Sequence, residues 1–409
     1  MGRDVANILF LTELLPYPLV AGPKIRAYYV LRQLAARHQV TLLSFVRPDD
    51  RTEDVAHLET FLSGVHTVPM RRSWAQNVGA VLVSLVTGQP AIIHREEIGA
   101  MQRRVKELLV QGQFDAVHAD QITMAQYGLL DKGMQVRRVL DQHNATFRIV
   151  ERLAQDEGKW LMRIFLEREA RTFARYEADV CQQYDQVTFV TEEDRQLLAA
   201  RMEPGSLKRR SSVIPICVDP DAVKGVAPIG TPFRVTHIGS MYWPPNVEGL
   251  TWFQEEVWPQ VRASVPEARL TLIGKNPSES ILAWGQQQDI DVLGYVENLA
   301  PYLAETAVFI VPLKAGAGMR VKILDAWCWG LPVVSTTIGA EGIDIQEGEN
   351  ILIADTADRF AQALVEAVSD AELQWRLRAN GRRWVEERYD WRRIYPAWDE
   401  VYDGLLSEH

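Results

Sequence analysis

The chain has 409 residues, 47% of them hydrophobic, and a formal net charge of −10 at pH 7. That length favours two domains over one, the apolar content is enough for large buried cores, and the acidity argues against nucleic acid as a partner. Cys181, Cys217 and Cys328 lack metal-ligand spacing, and no leader or bilayer-length apolar run is read, so no metal site and a cytoplasmic location are expected.

Charge is unevenly divided. Residues 1–230 hold 29 Lys and Arg against 28 Asp and Glu, a balance of +1, and residues 231–409 hold 15 against 26, a balance of −11. The basic clusters around Arg103–Lys106, Arg137–Arg138 and Lys208–Arg210 all lie in the first half. They are read as solvated faces that leave room for peripheral contact with the anionic inner surface of a membrane.

Asn7–Thr12 is an apolar strand. Pro23 opens a helix to about Arg37, with Ile25, Tyr28, Leu31, Leu34 and Ala35 at helical spacing. Gln39–Phe45 is the next strand. The apolar stretch Val78–Val86 reads as a buried helix, too short to cross a bilayer. Further strands are Asp115–His118, Arg138–Asp141, Gln186–Val190 and Ser212–Ile216, with a long charged helix over Ile149–Tyr184. Residues 217–232 are aperiodic and rich in proline and glycine, the signature of a linker. A second series follows: strand Phe233–Gly239, helix Val247–Val265, then strands Ala268–Gly274, Ile290–Gly294, Val308–Pro312 and Pro332–Thr336. Three of these strands end in glycine at a loop.

Strand and helix alternate in both halves. The fold class is therefore α/β, with two Rossmann-like, doubly wound parallel-sheet domains facing across a cleft. The expected division is residues 1–216, a linker over 217–232, residues 233–390, and a closing helix over 391–409 that packs back on the first domain.

The loop between Val308–Pro312 and the helix from about Arg320 carries the most chemistry. Gly316 and Gly318 leave backbone N–H groups open at a helix start, on the sheet edge where open α/β folds bind ligands. Glycine alone fits any tight turn. Arg320 and Lys322, two cations within one turn, shift the reading to a diphosphate site.

The chain as a whole resembles the retaining glycosyltransferases of family 4, the two-Rossmann-domain or GT-B type. Leu15–Pro18 with Ala21–Arg26, Asp115–His118, Val139–Asn144, His237–Asn246, Leu270–Lys275, Leu293–Val296, Ile338–Gly342 and Tyr389–Trp391 carry the likeness in order and spacing. The resemblance implies a nucleotide-diphosphate sugar as co-substrate, with no other cofactor. Its phosphates would lie at Gly316, Gly318, Arg320 and Lys322, helped by Gly239, Ser240 and Lys275. The base would lie near Tyr295 and Val296, and the ribose hydroxyls on Asp325. The acceptor, a glycan, a lipid-linked group or a small molecule, would lie near Gly22, Arg26 and Asn144. Asp120 and His143, just past strand ends, are candidates for taking the acceptor proton and for positioning, while Asp141 reads as a cap for local backbone.

Three departures from the family pattern are visible. Ala317 and Asp325 stand where two glutamates are usual, and Ser240 and Asn246 stand where many members have arginine and lysine. The pairs Asp219/Asp221 and Asp289/Asp291 have the spacing of a metal site but read as structural. Alternatives to a transferase are a sugar-nucleotide epimerase of the same architecture and a non-catalytic sugar-nucleotide binder.

Overall fold

The computed structural model describes residues 5–70, 74–130, 133–207, 210–223, 225–226, 233–316 and 318–407, excluding the side chains of Ala75 and Asp156. The chain divides into two units, residues 1–217 with 394–409, and residues 218–393. Each is a doubly wound parallel sheet.

The first sheet has seven strands: β1 (Asn7–Thr12), β2 (Gln39–Val46), β3 (Gly64–Pro69), β4 (Ala116–Asp120), β5 (Arg137–Gln142), β6 (Gln186–Phe189) and β7 (Ser211–Val213). Their order is β3-β2-β1-β4-β5-β6-β7. Its strands are apolar on both faces because helices cover both sides. Ile8, Leu9, Phe10 and Leu11 are fully buried, as are Val117, Val139 and Leu140. The helix Gly22–Ala35 starts on Pro23 and turns Ile25, Tyr28, Leu31 and Leu34 inward.

The second sheet has six: β8 (Arg234–Ile238), β9 (Arg269–Ile273), β10 (Ile290–Gly294), β11 (Val308–Val311), β12 (Val333–Ser335) and β13 (Leu352–Ile353), in the order β10-β9-β8-β11-β12-β13. In both sheets the strand order reverses once, between β1 and β4 and between β8 and β11. Such a switch point leaves a crevice at the carboxyl ends of the two strands.

Four sequence readings need correction. The stretch Val78–Val86 is helical, within Trp74–Thr87, but it is not buried: Leu82 is 59% exposed and Val86 88%. The long helix over Ile149–Tyr184 is two helices, Thr146–Asp156 and Trp160–Gln182, broken around Gly158. The helix over Val247–Val265 is interrupted by a π turn at Phe253–Val257. Within the stretch read as a linker, residues 218–223 are structured. Val218 bridges to Asp390, and the Arg392 guanidinium donates to both Asp219 carboxylate oxygens at 2.8 and 2.9 Å, which ties that segment into the second unit. The short strands β3 and β13 escape the sequence pattern.

The closing helix Pro396–Ser407 belongs to the first unit, where Trp398 and Tyr402 are fully buried. The Tyr402 hydroxyl and His118 Nδ1 lie 2.9 Å apart. Phe10 stacks on the His118 ring. Burial drives the His118 pKa down to about 3, so the ring stays neutral and packs as a core aromatic.

Candidate functional site

The second unit gathers its polar groups at the switch point. Strand β8 ends at Gly239 and β11 runs into the loop Pro312–Arg320. Gly316 has φ +129° and Gly318 φ +79°, backbone that side chains rarely adopt. A Cβ on Gly316 would meet the tip of the Arg320 side chain, which would have to swing aside. Arg320 caps the helix Val321–Cys328 and folds back, donating from Nη1 to the Gly318 carbonyl at 2.8 Å. Residue Ala317 lies outside the described residues.

Lys322 sits on the first turn of that helix. Its Nζ donates to Asn246 Oδ1 at 3.2 Å, and Asn246 Nδ2 donates to the Ser240 carbonyl at 2.9 Å. Burial, and then the Arg320 charge, pull the Lys322 pKa down to about 7. His237, fully buried on β8, is held well below its ordinary pKa by burial and by Lys322. With Nδ1–H donating to the Ile310 carbonyl at 3.0 Å, its Nε2 is a buried acceptor with no partner among the described residues. Arg320, Lys322 and an open helix start together make a receptor for an anion, whose charge would draw the proton back onto Lys322.

Around this centre, Ser240, Lys275 and Tyr295 are exposed, and Val296 is half-buried. The Lys275 ammonium lies 4.7 Å over the Tyr295 ring. Asp325, on the same helix as Lys322, is exposed, so water tempers the upward pull of the surrounding protein on its carboxyl. Sequence reasoning quoted His237 only as part of a motif. Its signal was its position two residues before the strand-ending glycine.

In the first unit the carboxyl ends of β4 and β5 bring Asp120, Asp141 and His143 together. His143 Nε2 lies 2.8 Å from Asp120 Oδ1 and 3.6 Å from Asp141 Oδ2. Arg26 joins them from the helix Gly22–Ala35. It donates from Nε and Nη2 to the two Asp141 oxygens, both at 2.7 Å, and from Nη1 to the carbonyls of Ile214 and Pro215. The Arg26 and Asp141 side chains are both 0% exposed.

This corrects two readings. Arg26, expected near the acceptor, is fully buried and engaged inside the first unit. Asp141 pairs with that guanidinium rather than capping backbone. Burial would raise the Asp141 carboxyl, but Arg26 outweighs it and holds the group ionised. Burial would likewise lower His143, but the Asp120 carboxylate overrides it and raises the imidazole to about 9. At neutral pH the ring is therefore an imidazolium bound to Asp120. Its Nδ1–H is buried without a partner among the described residues. Asp120 is 2% exposed and tied to that ring, so it is not a free proton acceptor. Gly22, in the first turn of its helix, and Asn144 are half-buried, and the Asn144 carbonyl accepts from Gln142 Nε2 at 2.9 Å.

The oxygens of Asp120 and Asp141 and a His143 nitrogen lie within 4.8 Å of one another, close enough for a metal ion. Asp141 gives both its oxygens to Arg26, which makes this donor set poor for a cation. The two acidic pairs of the second unit are also matched by arginine. Asp219 and Asp221 face Arg392, Asp289 faces Arg262, and Asp291 faces Arg234 and Arg269.

With these centres at the switch points of two Rossmann-like sheets, comparison with known proteins decides the family. A model described as "Glycosyltransferase Family 4" matches residues 20–222, and one described as "Glycosyl transferases group 1" matches residues 232–370. The chain belongs to the family 4 glycosyltransferases. Across its length this transferase is 22% identical to an uncharacterized protein of the cps region of Klebsiella pneumoniae, covering 96% of this chain and 99% of that one. A stretch of 145 residues, 32% of this chain and 38% of the relative, is 28% identical to a GDP-mannose-dependent phosphatidylinositol monomannoside mannosyltransferase of Corynebacterium glutamicum. In fold it is similar to Anabaena HepE, whose structure holds UDP and glucose, with TM-score 0.69, 13% identity and coverage of 98% and 100%.

Proposed function

We propose that this glycosyltransferase is retaining and metal-independent. It moves a sugar from a nucleotide-diphosphate sugar to a glycan or lipid-linked acceptor in polysaccharide or glycoconjugate assembly. The observation that carries this reading is the pairing of Arg320 with a half-neutralised Lys322 at an open, glycine-lined helix start. The UDP held by HepE and the GDP-mannose dependence of the mannosyltransferase relative support the donor class.

In this reading the nucleotide diphosphate leaves with growing negative charge as the sugar turns oxocarbenium-like. Arg320, Lys322 and the helix start meet that charge, which is the work a divalent ion does elsewhere. Asp325 accepts from the ribose hydroxyls, and the base lies along Tyr295 and Val296, with Lys275 beside them. His143 acts as a fixed imidazolium rather than a base, its spare Nδ1–H offered to an oxygen of donor or acceptor. Asp120 and Asp141 hold it charged, and Gly22 and Asn144 contribute to the acceptor side.

The test is turnover on a donor panel including UDP-glucose and GDP-mannose, with and without EDTA. Transfer or slow donor hydrolysis that persists in chelator is expected. Loss of turnover in EDTA with recovery on added Mg²⁺ or Mn²⁺ would overturn metal independence. Release of a sugar nucleotide inverted at one carbon would mark an epimerase, and tight binding without turnover a non-catalytic binder.

A further inference from the structure

The helix Trp74–Thr87 has no charged residue in its fourteen positions. Ala80 and Ser84 face inward, while Trp74, Val78, Leu82 and Val86, four residues apart, stand 39–88% exposed, with Val83 and Leu85 beside them. The helix is firmly seated. Ser84 Oγ donates to Glu169 at 3.0 Å and receives Arg168 Nη1 at 2.9 Å, both from the helix Trp160–Gln182. That second helix exposes Trp160, Leu161 and Ile164 in its own first turns. A monomer in water rarely shows so much contiguous apolar surface without a use for it.

At fourteen residues the helix is about 21 Å long, short of a hydrocarbon core of about 30 Å. No helix among the described residues is long and apolar enough to cross a membrane. An apolar helix of this length fits the interfacial plane of a bilayer instead.

Charge decides the occupant. Just past the end of the helix, Gly88 borders a cavity of about 320 Å³ whose other lining residues are Arg168, Arg171, Thr172 and Arg175. Glu169 is occupied by Arg168, Ser84 and the Ala91 amide, and Glu167 by Arg163. Among the described residues no carboxylate pairs with Arg171 or Arg175. So a chain of net charge −10 places three guanidiniums beside its most apolar exposed helix. A second copy seated symmetrically on this face would bring the arginines of both copies together, at a cost. An anionic lipid surface meets apolar side chains and arginines at once.

We propose that the helix Trp74–Thr87 and the adjoining arginine cavity form a docking surface for an anionic bilayer. The apolar side chains enter the headgroup boundary, and a lipid phosphate enters the cavity.

The test is co-sedimentation of the full chain with vesicles of phosphatidylcholine alone and of phosphatidylcholine with about 30 mol% phosphatidylglycerol. The wild type is expected to bind the anionic vesicles. Leu82→Glu/Val86→Glu lowers that partition by about tenfold or more. Arg171→Glu/Arg175→Glu removes the preference for phosphatidylglycerol while leaving thermal unfolding unchanged, since both residues are exposed. Wild-type protein that ignores vesicles overturns the proposal, as do both variants binding like wild type. A wild-type dimer that Leu82→Glu/Val86→Glu turns into monomers, with vesicle binding unaltered, assigns the face to a second copy and also overturns it.

Discussion

Lys322 ties the electrostatics of the donor side to a measurement. Its pKa of about 7 in the free protein follows from burial and from Arg320. A bound diphosphate supplies the missing counter-charge and pulls the pKa back up, so binding takes up a proton near and above pH 7. Titrations of UDP or GDP in buffers of different ionisation enthalpy are expected to show that uptake, and affinity is expected to fall as pH rises above 7. Both signatures vanish in Lys322→Met if Lys322 meets the phosphates. Arg320→Ala and Lys322→Ala should each weaken nucleotide-diphosphate binding by about 1.5–3 kcal/mol, tenfold or more. Unchanged affinity in both would remove the phosphate site from this helix. His143 gives a different pH signature. Its folded pKa of about 9 lies above the unfolded value, so its stabilisation is complete below about 6.5 and is lost as pH rises through 9. Melting temperatures from pH 6 to 10 are expected to fall more steeply for wild type than for His143→Gln, and parallel curves would contradict the imidazolium assignment.

At the scale of elements, the donor centre depends on how closely strands β8 and β9 end. A Cβ on Gly274 would lie 1.7 Å from the Gly239 carbonyl oxygen, a contact that only backbone movement relieves. Gly274→Ala is therefore expected to destabilise the second unit by roughly 3 kcal/mol or more. Because Gly239 also adjoins Lys322 Nζ and His237 Nε2, the same change should weaken nucleotide binding in the fraction that stays folded. Thermal unfolding and calorimetry on one preparation check both, and a variant with wild-type stability would show that the strand ends are not so closely fitted. The helix Val321–Cys328 is seated by Trp327, fully buried, whose Nε1–H donates to the Asn350 carbonyl at 3.0 Å. That anchor fixes the helix start that carries Arg320 and Lys322.

For the whole molecule, the final residues complete the first unit although they follow the second in sequence. Tyr395, Trp398 and Tyr402 are each 0% exposed, and the Tyr395 hydroxyl accepts from the Cys217 amide at 3.2 Å. Arg26 lies 5.6 Å from the Trp398 ring, so the closing helix also covers the buried ion-pair cluster. Truncation after Arg393 is expected to lower the melting transition of the first unit and leave that of the second near its wild-type temperature. Calorimetry resolving two transitions is the check, and equal loss in both, or in neither, would count against this assignment.

Sequence by itself settled what depends on near neighbours along the chain. Short apolar runs such as Ile8–Leu11 and Val308–Val311, between turn residues, read as buried strands, and alternation with helices makes parallel sheets. Two glycines followed by Arg320 and Lys322 at a strand-to-helix turn point to an anion site on local grounds alone, because the helix start brings its own N–H groups. What tertiary structure decided is which charges meet and which apolar faces find a cover. Arg26 and Asp141 are 115 residues apart, one expected near the acceptor and the other as a local cap; the fold pairs them, and Asp120 with Asp141 holds His143 charged. His237 comes to lie beside Lys322 only in the folded chain. The helix Trp74–Thr87 has the composition of a core helix, and sequence cannot tell a core helix from an exposed apolar one. Burial is a property of what packs against a face, and most of this helix is left uncovered by the described residues.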